Sequence, residues 1–145
     1  VNAAFWMIPI HVLQKVGGFC PLFYHYGEDK DFVNRLHYHQ YQVGYSPQVF
    51  GNHDREYRPS THEGFLRTES VYHLSEYVNI NHPWLKAFGY GVLAVMKKAL
   101  TSLISGKFQL SKDYLRMGFQ LLSRSTEIQS YRKINRLSQP HYIQK

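Results

Sequence analysis

Residues 16–31, VGGFCPLFYHYGEDKD, constrain this chain most, because two glycine breaks enclose an aromatic loop and a run of acids follows the second break. Gly17-Gly18 can supply the positive φ at which helices stop, and positions 10, 12, 13 and 16 are apolar at helical spacing. Together they predict a short helix over 10–16. Beyond Gly27, Phe32, Val33 and Leu36 share one side of a helix predicted over 28–39, which places Glu28, Asp29 and Asp31 in or near its first turn. Asp31 and Arg35 are then four residues apart, the spacing at which an acid and a base pair along a helix.

The flanking pattern reads differently on the two sides. Residues 3–8 are apolar and aromatic without a polar face, as in a central strand covered on both sides, and Pro9 fits its exit. Residues 42–46 and 48–52 read as two short strands broken by Pro47, with His53 at the end of the second. From Thr61 onward the spacing predicts helices over 64–78, 83–105, 107–123 and 125–137. In the 83–105 helix a single wheel gathers Trp84, Leu85, Phe88, Val92, Val95, Met96 and Leu103 on one half and Lys86, Lys97 and Lys98 on the other. The 107–123 helix carries two apolar stripes, one with Phe108, Leu115, Phe119 and Leu122, the other with Leu110, Tyr114, Met117 and Leu121. Such a helix needs two partners.

With 145 residues, 43% of them apolar, the chain can bury a core and is not of disordered composition. It begins without methionine on a strand-like run and is expected to be a piece of a longer protein. Cys20 is the only cysteine, which excludes an internal disulfide and a cysteine-based zinc site and fits a reducing compartment. The most apolar later run, 87–96, falls short of the roughly 20 residues that span a bilayer, so no membrane crossing is expected. The net charge of +7 is uneven: residues 1–60 carry five basic and five acidic side chains, and 61–145 carry twelve and five. That excess attracts anionic partners of several kinds.

An ordered set of features now stands together: the strand NAAFWMI, a helix ending VGGF, an aromatic loop, GEDKDFVNR, and strands closing on His53. In this order and spacing, residues 2–56 resemble the C-terminal half of the catalytic domain of family 2 glycosyltransferases, inverting nucleotide-sugar enzymes of GT-A fold. The resemblance implies an α/β fold, with residues 1–60 the acceptor-side portion of a Rossmann-like GT-A domain and 61–145 a basic, amphipathic α-helical region. It implies Asp29 as catalytic base and His53 as a residue helping to hold a divalent cation, Mn or Mg, on the nucleotide diphosphate. Inversion requires a carboxylate on the acceptor side to take a hydroxyl proton while the diphosphate leaves opposite. Glu28, Asp31 and Arg35 are expected to support that base. Tyr24, His25 and Tyr26 would either stack on a sugar or acceptor or pack the loop, and Arg55 and Arg58 would either meet phosphates or stand as solvated surface residues.

The family's N-terminal, nucleotide-binding half with its Asp-x-Asp metal motif is missing, so the piece is expected to be inactive alone. Cys20 stands where many members have an acid. The Gln-x-x-Arg-Trp motif of processive members is also missing, which fits single addition. His37 and His39 point apart on a helix and do not make a separate metal site. The partners implied are a nucleotide-sugar donor and a glycan or lipid-linked acceptor. The helical region would either lie on an anionic membrane surface or pack on its own domain, placing the protein in the cytoplasm or on the membrane's cytoplasmic face. A homo-oligomer is left open: without the missing strands the face of NAAFWMI would be exposed, so self-association of this piece would not by itself establish a physiological oligomer. Nucleic acid is not expected, because the basic residues spread over several helices. The alternative is a non-catalytic scaffold or a basic helical module that binds membrane or protein.

Overall fold

Helices make up all the regular secondary structure in the computed structural model, which describes residues 5–24, 26–48, 51, 59 and 61–143. In chain order they are α1 (Ile10–Val16), α2 (Glu28–Tyr38), α3 (His62–Val78), α4 (Trp84–Phe88), α5 (Ala94–Ile104), α6 (Phe108–Ser123) and α7 (Ser125–Asn135), with a π-turn over Gly89–Leu93 joining α4 to α5. The expected α/β, Rossmann-like GT-A arrangement is therefore corrected: no strand occurs among the described residues. A strand cannot satisfy its own N–H and C=O groups and needs a neighbour to pair with, whereas a helix closes its bonds internally. Residues 5–8 and 42–46 have strand-like composition but take no strand conformation among the described residues, and Phe5, Met7 and Val43 stay exposed. Part of the expected 48–52 strand lies outside the described residues.

The helices expected from periodicity form within about two residues of their expected ends. Thr61 caps α3, its hydroxyl accepting the Gly64 N–H at 3.0 Å. α4, the π-turn and α5 run as one helix, Trp84–Ile104, of 21 residues, whose most apolar 18-residue stretch has mean hydropathy 1.3. By length and composition it could cross a membrane, which revises the shorter span read from the sequence; about 33% of its most apolar stretch is buried in the protein. The π-turn inserts an extra residue and shifts the helix face by about a quarter turn. Leu85 accordingly ends up exposed, and Lys98 turns inward to pair with Glu69. The close fit explains Gly91: a Cβ there would lie 2.4 Å from Tyr77 Cβ on α3.

The main core joins Leu74, Tyr77 and Val78 of α3 to Val92, Val95 and Ala99, to Met117 and Leu121 of α6 and to Ile128 of α7. Cys20, Leu22 and Phe23 of the aromatic loop enter the same core. A second cluster, Val12, Val16, Phe32 and Leu36, holds α1 on α2. α2 is tied to the helical region by a Lys30–Glu76 ion pair at 2.8 Å and by the Asn81 amide donating to the Asn34 carbonyl at 2.8 Å. Residues 61–143 thus pack against the loop and helices that precede them.

Candidate functional site

Two successive residues of positive φ, Tyr26 at 68° and Gly27 at 94°, swing the aromatic loop into α2. Gly27 is required twice over, by that conformation and because a Cβ would lie 2.8 Å from both Phe23 Cδ1 and Val71 Cγ1. No side chain caps the helix from Gly27, so its first turn presents N–H groups and a positive dipole end to the acids that follow.

The acids there divide into different roles. Asp31 is buried and accepts the Arg35 Nε–H at 2.8 Å. Arg35 is buried as well, and its Nη1 and Nη2 donate to the Val16 and Gly18 carbonyls at 2.7 Å each, latching α2 to the end of α1. Burial pushes the Asp31 carboxyl pKa up while the Arg35 charge pulls it back. Asp29 is only half-buried; it takes a hydrogen bond from the Lys30 backbone N–H at 2.7 Å and has no cationic side chain paired to it among the described residues. Glu28 places Oε2 in an enclosed position with no hydrogen-bond partner. Lys30 faces away, between Glu76 and the Tyr72 ring, 4.6 Å from its centre.

A shallow groove of about 300 Å³ lies between the aromatic loop and α3. Phe23, Tyr24, Tyr26, Val71 and Leu74 form it, with Arg67 of α3 as its cation. Phe23 and Val71 are the same side chains that close on Gly27, so the groove adjoins the start of α2. Tyr24 is fully exposed and Tyr26 is 41% exposed.

Asp29-Lys30-Asp31 does spell acid-x-acid, but at two residues' spacing on a helix the carboxylates diverge, and Asp31 is committed to Arg35. The pair cannot grip one cation. Among the described residues no group of three or more His, Cys, Asp or Glu side chains gathers for a metal. His25, His53, Arg55 and Arg58 lie outside the described residues. His37 is exposed on α2, whereas His39 Nε2 sits 3.0 Å from the Asn135 carbonyl, so this pair makes no joint site.

Three features of the site carried no local sequence signal. Arg67 reaches the groove only because α3 packs beside the aromatic loop. Residues 141–142 cover Gly17-Gly18, the Gly18 N–H donating to the His141 carbonyl at 2.8 Å. The Tyr142 hydroxyl donates to Asn135 Oδ1 at 2.7 Å, and burial raises its pKa strongly. Burial lowers the His141 pKa to about 4, and neither ring nitrogen has a hydrogen-bond partner. Beneath them the single cysteine, Cys20, is buried, with its thiol pushed up to about 11 first by burial and then by Asp31. A thiol held so high is a poor nucleophile.

Comparison with protein-family models, with curated proteins and with solved structures gives no match. Neither fold nor function is therefore carried here from a relative.

Proposed function

We propose that the start of α2 is the acceptor side of an inverting sugar transferase, with Asp29 as its base. In that reaction a hydroxyl oxygen in the groove bonds to the anomeric carbon of a nucleotide sugar, its proton passes to the Asp29 carboxylate, and the carbon–oxygen bond to the diphosphate breaks on the opposite face. The leaving diphosphate takes the bonding electron pair.

The observation that carries the reading is the division of the acids. Asp31 is spent on Arg35, while Asp29 has no cationic partner among the described residues and stands in the first turn of α2, two residues after the Gly27 on which two groove side chains, Phe23 and Val71, close. A base must be held rigidly yet left unpaired, and the Arg35 latch supplies the rigidity. Tyr24 and Tyr26 would stack on an acceptor sugar and Arg67 would hydrogen-bond its hydroxyls. The nucleotide-sugar donor, the divalent cation and the roles of His53, Arg55 and Arg58 rest on the family resemblance. The proposal concerns chemistry at the start of α2 and does not extend to an α/β fold.

The test is nucleoside diphosphate release by the protein from a panel of nucleotide sugars, in the presence of glycan and glycolipid acceptors. Asp29→Asn should abolish acceptor-dependent release and leave donor binding near the unaltered value. Turnover close to normal in that variant would refute the assignment.

A further inference from the structure

The two apolar stripes of α6 meet different fates. Tyr114, Met117 and Leu121 are buried in the core, whereas Phe108, Leu115, Phe119 and Leu122 are exposed, Phe108 and Phe119 to more than 60%. On α5 the same split occurs: Val95, Ala99 and Ser102 are buried, and Leu100, Leu103 and Ile104 are exposed.

The contacts between these helices place the two exposed stripes on one surface. α5 and α6 form a hairpin closed by Gly118 against Met96 and Val95 and by the Ser111 hydroxyl donating to the Ala99 carbonyl at 2.9 Å. Both helices meet α3 on the opposite side, where Lys98 and the Tyr114 hydroxyl converge on Glu69. Around each helix the order is α3, then the hairpin partner, then the exposed apolar stripe, so both stripes line the outer face, away from α3.

Charge selects the occupant. From Trp84 to Arg124 the sequence holds seven basic residues and one acid, Asp113. Lys97 borders the stripe of α5, Lys112 and Arg116 border that of α6, and all three are exposed. Asp113 is turned off this face toward His62 of α3 at 3.0 Å. An apolar strip edged by cations matches the interface of an anionic bilayer, which takes apolar side chains below its headgroups and cations among them.

We propose that the outer face of the α5/α6 hairpin docks on an anionic membrane leaflet, with the hairpin lying in the plane of the headgroups. Lying flat uses both stripes at once; crossing the bilayer would carry Lys97, Lys98 and the buried Ser102 into hydrocarbon. The inference stands apart from the transfer reading and survives if Asp29 proves dispensable.

Flotation with vesicles of phosphatidylcholine alone, and with one lipid in three replaced by phosphatidylglycerol, tests it. The chain should float with the anionic vesicles, far less with the neutral ones and less at high salt. Leu100→Glu with Phe119→Glu should weaken binding by at least about tenfold, since it places charge in the apolar layer. Both positions are more than half exposed, so the melting temperature should hold. Lys97→Gln with Lys112→Gln and Arg116→Gln should weaken binding to anionic vesicles while leaving the apolar stripe intact. Undiminished flotation of the Leu100→Glu, Phe119→Glu variant, or no flotation of the folded, unaltered chain, would overturn the proposal. So would a lipid-free dimer that the same two substitutions disperse, because the face would then belong to a second copy.

Discussion

Arg35 and Arg132 do the same work in two regions and differ in what balances their charge. Each is buried and takes carbonyls at and beyond the end of a helix: Arg35 those of Val16 and Gly18 at the end of α1 and past it, Arg132 those of Tyr77, Asn79 and His82 at the end of α3 and beyond it. Arg35 also holds Asp31 at 2.8 Å, whereas Arg132 has no carboxylate partner among the described residues and lies 5.7 Å from the Trp84 ring centre. Burial lowers the Arg132 pKa to about 10, which still leaves it charged at neutral pH. Helix ends can be closed with carbonyls alone, as α3 is. The acid in the α2 latch therefore marks a place where charge is neutralised in the interior, and it separates a structural Asp31 from a free Asp29.

Breaking the latch should have the largest effect. Arg35→Ala leaves Asp31 buried and unpaired and two carbonyls unmet, a loss of about 3–5 kcal/mol in chemical denaturation. Replacing both partners, Arg35→Met with Asp31→Met, should recover most of that loss, because no orphaned charge remains. If the double variant is as unstable as the single one, the carbonyls rather than the ion pair hold α2. Arg132→Ala should cost less, about 2 kcal/mol, since it strands carbonyls but no charge. A cost equal to that of Arg35→Ala would erase the contrast.

The latch also has a pH signature through the segment that covers it. His141 is neutral in the fold, its pKa lowered from 6.5 to about 4 by burial and then by Arg35, so the unfolded chain binds its proton first on acidification. His73 is lowered as well, chiefly by burial. Stability from these groups is complete above pH 6.5 and is lost as the pH falls toward 4, seen as a falling melting temperature that His141→Asn should partly flatten. The smallest effect belongs to the tie between the two regions: Lys30→Ala removes the partly exposed partner and leaves Glu76 facing His82 at 3.5 Å, and it should cost about 0.2–1 kcal/mol.

Much of the helical framework was legible in the sequence, since Phe32, Leu36 and the Phe108 and Tyr114 stripes recur at the helix period, and Gly17 and Gly27 mark real breaks. The strands were not, because the composition of 42–46 reports β preference but not whether a neighbour pairs with it. The face of Leu85 was misjudged because one wheel cannot be drawn through a π-turn. At the site, the spacing of Asp31 and Arg35 announced their pairing. The groove beside Gly27 was hidden, because Arg67 and Val71 come from α3 and meet the aromatic loop only by tertiary packing.

The central claim is that the acids of one helical turn are divided, one to hold the fold and one to do chemistry. The most direct measurement is acceptor-dependent turnover of Asp29→Asn, taken with its melting temperature. The account predicts a loss of at least about a hundredfold in turnover with the melting temperature unchanged. Near-normal turnover would contradict it.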